Sequence, residues 1–230
     1  MNYTTKNRWR FTAIMLTISV LLCLTNAGKA QQIVLQDIDG KPLLRNQFTD
    51  IDGSPFLFDD WLPSDISFRS GGNLKDFNVK YDVINDALVF LDQEGNLNNF
   101  KESVKSFKFT KGAKTYVFDA QYPAIDGHTG LSYYQILFAG KLQLIKKYNK
   151  VLLEPQNYNS ANVAKKVQDI VNLYVYNPSD KSIVKLKQNE SFLAEKLAID
   201  AGKLKRYLKY NKVNIKKQDD LVKLFELYAK

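Results

Sequence analysis

The run Leu131-Ser132-Tyr133-Tyr134-Gln135-Ile136-Leu137-Phe138-Ala139-Gly140-Lys141-Leu142-Gln143-Leu144-Ile145-Lys146-Lys147-Tyr148 decides how this chain is read. Tyr134, Ile136 and Phe138 alternate along one arm, Gly140 marks a reversal, and Leu142 and Leu144 resume the alternation on the way back. A period of two over arms this short, with Gly between them, belongs to half-buried antiparallel strands. The same period recurs in Phe77, Val79 and Tyr81, which alternate with Asn78 and Lys80. It recurs again in Phe107 and Phe109 about Lys108, and in Tyr116 and Phe118 about Val117. Gln32–Gln36, Asp65–Arg69, Ala87–Leu91, Asn172–Tyr176 and Ser182–Lys187 complete the predicted strands. Asn162–Val167 stays open between helix and strand. Val163, Val167, Ile170 and Val171 have helical spacing, whereas β-branched content and the run Leu173–Tyr176 favour a strand by its end.

Turn chemistry agrees with strands. Three Ile-Asp-Gly triplets stand at 38–40, 51–53 and 125–127, and Pro42 and Pro55 follow the first two. Asp-Gly suits a tight turn because Gly accepts positive φ and Asp bonds its neighbouring backbone. After Lys187 the period changes. Phe192, Leu193 and Leu197, then Leu204, Tyr207 and Leu208, then Leu221, Leu224, Phe225 and Tyr228 mark three short helices with one apolar face each. Asp219 and Asp220 are expected at the start of the third, where carboxylates cap free backbone N–H groups and complement the helix dipole. The fold class is therefore α+β: a mainly antiparallel β body over 31–188, as a meander, sandwich or incomplete barrel, followed by a helical segment over 189–230 that docks on the body or forms its own lobe.

Residues 1–30 read as a secretory leader. Lys6, Arg8 and Arg10 precede the apolar run Phe11–Leu24, whose 14 residues fall short of the roughly 20 that span a bilayer. Small residues follow, and cleavage is expected after Ala27 or Ala30. Cys23 follows Val20-Leu21-Leu22 without the small residue that lipidation requires directly before it. The leader holds the only Cys and both Met, so residues 31–230 contain no thiol for a disulfide, a nucleophile or a metal. The expected location is exported: periplasmic, outer-membrane-associated or secreted. No second apolar stretch reaches spanning length.

Charge is concentrated at the end of the chain. Residues 31–188 carry 19 basic and 18 acidic groups, whereas residues 189–230 carry 10 and 6. Lys203, Lys205, Arg206, Lys209, Lys212, Lys216 and Lys217 fall within one stretch that holds no acid. Such a block serves as the solvated face of a helix or binds an anionic surface, with Tyr207 and Tyr210 interleaved as stacking groups. The expected partner is an anionic envelope surface or an envelope protein. Nucleic acid is not expected, since no recognition motif is present and the chain carries an export leader.

Candidate chemistry is sparse. His128, the single His, lies beside Asp126 with Thr129 and Ser132 nearby, but no Gly-x-Ser-x-Gly accompanies it and a turn explains its setting. Asp37-x-Asp39-Gly40 and Asp50-x-Asp52-Gly53 resemble the start of a calcium loop. In both, Gly comes too early and the sixth residues beyond are Asn46 and Asp59. A weaker site on Asp59 and Asp60 is the remaining calcium reading. Trp61 is a candidate sugar platform for a carboxylate hydrolase, although packing is the commoner role of such a residue. Ser70-Gly71-Gly72-Asn73 lacks the Lys-Ser/Thr of a phosphate loop. No catalytic residue, cofactor or metal is assigned.

Gly53-Ser54-Pro55-Phe56, Trp61, Gly71-Gly72-Asn73, Lys80-Tyr81-Asp82 with Asn85-Asp86, and the closing Lys205-Arg206-Tyr207-Leu208 and Asp219-Asp220-Leu221-Val222-Lys223-Leu224 together resemble a family of small exported proteins of Bacteroidetes-type bacteria. The resemblance implies an envelope or secreted location and carries no activity with it. The sequence thus leads first to an exported non-enzymatic binding or envelope-associated protein. A carboxylate-dependent hydrolase and a structural partner in an outer-membrane complex are the alternatives.

Overall fold

A computed structural model describes residues 51–153 and 164–230. The expected leader, the strand Gln32–Gln36 and the first Ile-Asp-Gly turn lie outside the described residues. The strands are β1 (Ile51–Asp52), β2 (Leu62–Phe68), β3 (Asn73–Asp82), β4 (Ala87–Leu91), β5 (Leu97–Asn99), β6 (Val104–Lys111), β7 (Lys114–Asp119), β8 (Tyr134–Ala139), β9 (Gln143–Leu153), β10 (Lys165–Asn177) and β11 (Ser182–Lys185). Three helices follow: α1 (Glu190–Lys196), α2 (Ala201–Tyr210) and α3 (Gln218–Tyr228). None is long and apolar enough to cross a membrane.

All the strands join one open sheet in the order β1-β10-β9-β8-β7-β6-β2-β3-β4-β5, with β11 also on β10. Two meanders, β2–β5 and β6–β11, are joined where β2 pairs with β6. Among the described residues only the short β1–β10 pairing is parallel. The protein is thus α+β with a β body and a helical C-terminus. Residues 165–171 resolve as strand, because Lys166 to Val171 each pair with β9 and that ladder outweighs a helical spacing of only four residues.

Aromatic side chains fill the centre. Phe107 and Phe118 stand directly opposite each other on β6 and β7, with rings stacked at 4.6 Å. Phe118 also meets Tyr81 at 5.3 Å, and Phe90 meets Phe100 at 4.8 Å. Each of these side chains is buried. Opposed strand residues share a face, so the alternation read in the sequence becomes a continuous aromatic layer.

The β8–β9 hairpin departs from strict alternation. Ile136 opposes Ile145 and Phe138 opposes Leu144, which makes Leu137 an extra residue in a bulge. Ile136 and Phe138 therefore lie on opposite faces, and Phe138 joins the helices, packing against Phe225. A bulge shifts alternation by one residue, and single-strand patterning does not show it.

The helices dock on the sheet and do not form a lobe of their own. Leu193, Leu197, Leu204, Leu208, Leu221, Leu224 and Phe225 share one buried cluster with Leu144, Val175 and Leu186. Asn189 and Asp200 cap α1 and α2 by accepting from the Phe192 and Lys203 N–H groups at 2.8 Å. At α3 the expected position of Asp219 and Asp220 at the helix start holds, and their capping bond is corrected. The N-cap is Lys217, without a side-chain bond, and Asp219 and Asp220 sit in the first turn. Asp220 accepts instead from the Asn214 N–H at 2.9 Å. Gly140 is required by close approach, since a Cβ there would lie 2.3 Å from the Ala229 carbonyl. That carbonyl accepts the Lys141 N–H at 2.7 Å, tying the hairpin tip to the end of α3.

The Asp-Gly reading holds at 125–127, where Asp126 and Gly127 both have positive φ between the bridged residues Ile125 and His128. At 51–53 it is corrected. Ile51 and Asp52 form β1 and only Gly53 has positive φ, with a built Cβ 2.9 Å from Val167.

Truncating Phe118 to Ala removes the ring from the middle of the aromatic layer. It is expected to lower the unfolding free energy by about 3–5 kcal/mol, whereas Val117→Ala on the exposed face should change it by less than about 1 kcal/mol. Urea unfolding of the two variants checks the pair.

Candidate functional site

The structure places the seven sequence-derived bases around one helix and the loop that follows it. Lys203, Lys205, Arg206 and Lys209 lie on α2, Lys212 just beyond it, and Lys216 and Lys217 immediately before α3. All seven are exposed. Leu204 and Leu208 turn the opposite side of α2 into the core. Among the described residues no ion pair includes any of the seven. Tyr210 projects from the same helix at 88% exposure, whereas Tyr207 packs edge-on against Tyr228. This surface therefore offers cationic heads and one free aromatic ring, and no apolar helix face.

The other sequence candidates separate. Asp59 accepts from the Ser54 hydroxyl and Asp60 pairs with Lys111 at 2.5 Å. Among the described residues no three His, Cys, Asp or Glu side chains group as a metal site. Trp61 is partly buried with the Lys80 ammonium 4.8 Å from its ring, so a cation already occupies that face. His128 meets the Tyr134 ring edge-on at 6.1 Å, and burial, then Lys147, lowers its pKa. The Ser132 hydroxyl accepts from the Thr129 N–H at 3.2 Å.

Sequence reading missed a buried, ion-paired lysine. Lys147 is 1% exposed and pairs with Asp86 at 2.7 Å. Tyr81 donates its hydroxyl to the same carboxylate at 2.5 Å, and the Tyr133 N–H points to it at 3.4 Å. Lys147 also lies 3.3 Å from the Tyr81 oxygen and 5.8 Å from the Tyr134 ring. Burial lowers the Lys147 pKa and Asp86 opposes that shift. One signal was legible: in strand alternation, consecutive Lys146 and Lys147 cannot both face water.

The Asp86 end of this cluster opens to a pocket of about 180 Å³ lined also by Asn99, Lys101, Glu102, Ser103 and Tyr133. A second, related cluster lies beyond Tyr134, where Asp126 accepts from the Tyr174 hydroxyl at 3.0 Å and pairs with Lys185 at 3.3 Å. The chemistry of both is acid–base and hydrogen bonding, and the Lys147–Asp86 pair is spent on mutual neutralisation.

Asp86→Asn strands the Lys147 charge in the interior, and an expected loss of about 3–5 kcal/mol follows. Lys147→Met should be milder, because Asp86 keeps the Tyr81 hydroxyl and some water. Adding Lys147→Met to Asp86→Asn should recover part of the loss in a double-mutant cycle by urea unfolding.

A second expectation concerns pH. Burial raises Tyr81, Tyr122, Tyr133, Tyr148 and Tyr174 above the ordinary tyrosine value, and Tyr134 to about 12. Groups that keep their proton longer when folded stabilise fully below the unfolded value and lose that contribution as pH rises through the folded one. Lys147, lowered by burial, acts in the opposite sense up to its unfolded value near about 10.4. Stability is expected to fall between about pH 10 and pH 12, with tyrosinate absorbance appearing together with unfolding. Comparison of the chain with protein-family models, with curated proteins and with solved structures finds no match.

Proposed function

We propose that the protein is an exported binding module whose C-terminal helical segment contacts an anionic envelope surface. The observation that carries this reading is the exposure of Lys203, Lys205, Arg206, Lys209, Lys212, Lys216 and Lys217 without an acidic partner among the described residues. Bases that only solubilise a helix commonly pair with acids three or four residues away, and α2 contains no acid. Export rests on the basic and apolar pattern of residues 1–30 and on the resemblance to small exported proteins.

The mode of contact follows from burial. An interfacial helix inserts its apolar face among acyl chains. In α2 that face is Leu204 and Leu208, both buried in the protein's own core. Contact is therefore electrostatic, with Tyr210 as the one ring free to enter the headgroup layer. Such attraction weakens steeply with ionic strength, because exposed charges are screened within about 8–10 Å at ordinary salt.

The test replaces Lys205, Arg206, Lys209 and Lys212 by Gln and measures co-sedimentation with envelope fragments and with anionic lipid vesicles across a salt series. Each base near an anionic surface contributes roughly 1 kcal/mol. The four substitutions are expected to weaken association by at least about tenfold and to flatten its salt dependence. Association unchanged by them, or insensitive to salt, would end this reading.

A further inference from the structure

We infer that the outer edge of β10 is a docking strand for an extended acidic segment of a partner polypeptide. This goes beyond the anionic-surface reading and does not depend on it, since the two share only Lys216.

The two edges of the sheet are built differently. At one end the edge strand β5 has three residues, and shortness protects an edge from pairing. At the other, β10 has 13 residues and is covered only in part. β1 covers Lys165 and Lys166, and Gly53 lies against Val167. β11 covers Tyr174–Asn177, and the Leu186 N–H donates to the Leu173 carbonyl at 2.8 Å. That bond shows that the Leu173 backbone faces away from β9. Backbone direction alternates along a strand, so Val171 and Asp169 face the same way. Among the described residues nothing pairs with them. Ile170 and Val171 are exposed, Val171 at 49%, and the stretch 168–172 has no Pro, no Lys and no bulge. Among the described residues, of the devices that normally blunt an edge this stretch carries only the charge of Asp169, which Lys150 pairs at 3.3 Å.

Charge selects the occupant. A groove of about 330 Å³ runs beside this edge, lined by Val171 and Asn172, by Lys146 and Lys185, and by Lys216 and Gln218 at the start of α3. No acidic residue lines it. The Lys146 ammonium bonds the Gln218 side-chain oxygen at 3.0 Å, and Lys185 pairs with Asp126 at 3.3 Å. Lys216 has no ion pair among the described residues. Lys146 is the half-buried member, its pKa lowered by burial and by Lys114, so a carboxylate beside it would supply the counter-charge it lacks. Main-chain bonds from Asp169 and Val171 would hold an added strand, and its alternate side chains would meet these amines. Asp169 itself is paired with Lys150 at 3.3 Å, which offsets its repulsion of an acidic partner.

The experiment titrates the purified full chain with a labelled peptide of about ten residues alternating Glu with Val. Controls are the same peptide with alternate amides N-methylated and a peptide with Lys in place of Glu. The Glu peptide is expected to bind and to slow amide exchange at Asp169 and Val171, which should be fast in the free protein. N-methylation, Val171→Pro and the pair Lys146→Gln with Lys216→Gln should each weaken binding by about tenfold or more. Val171→Pro removes only an outward N–H and spares the β9 ladder. N-methylation acts on the peptide, so its effect is independent of whether a variant folds. Equal binding of the N-methylated peptide would reduce the contact to charge alone, and equal binding of the Lys peptide would remove the acidic preference. Either overturns the inference. So does slow exchange at Asp169 and Val171 in the free protein without peptide binding, which would mean that this chain or a second copy already covers the edge. Sedimentation tells those two apart.

Discussion

The ladder between β9 and β10, Gln143–Leu153 against Lys166–Tyr176, is the constraint on which the rest of the molecule depends. Successive pairs in it point to opposite faces. Leu144 with Val175 turns to the helices, and Ile145 with Tyr174 turns to the tyrosines Tyr122 and Tyr134. A one-residue slip would exchange these sets, placing Lys146 among the tyrosines and Lys147 toward the helices. At the tip between β8 and β9, Gly140 lets the Ala229 carbonyl approach and Lys141 bonds it, which ties this hairpin to the end of α3. Sheet, helices and polar cluster are thus consequences of one alignment.

The register also explains a charge in the interior. Lys147 is fixed on the tyrosine face, and an unpaired ammonium there would be far more costly than a hydrogen-bonded pair. Asp86 meets it from the β3–β4 turn, and the Tyr81 hydroxyl and Tyr133 N–H satisfy the carboxylate. This neutralised cluster contrasts with the bases of α2, which are exposed and form no ion pair among the described residues. A buried lysine that already has its counter-charge is a structural element. Exposed lysines without one can meet a partner, and this difference supports the proposed surface contact.

Several elements were legible in the sequence because each depends on local periodicity. Ala87–Leu91 is a strand with those same bounds, and Phe77, Val79 and Tyr81 line one face of β3. The three helices follow the apolar spacing from Phe192 to Tyr228. The bases from Lys203 to Lys217 were legible as a block, and their common exposure follows from Leu204 and Leu208 being the buried side. Other features have no local signature. β5 is only Leu97–Asn99, too short to show a period, and β1 is two residues that need Lys165 and Lys166 to count as strand. The bulge at Leu137 reverses a face without changing the composition of the run.

The sequence by itself determined the class of structure, the succession of a strand-rich body and three helices along the chain, and the concentration of positive charge at its end. These follow from side-chain period, turn chemistry and composition, which act between residues close in the chain. Only the tertiary structure decided that β2 pairs with β6, that Lys147 meets Asp86, and that among the described residues no strand pairs with β10 at Asp169 and Val171 on its outer side. Each of these joins or separates groups far apart in sequence. Their energies arise from desolvation and from main-chain hydrogen bonds that exist only once distant strands are in register.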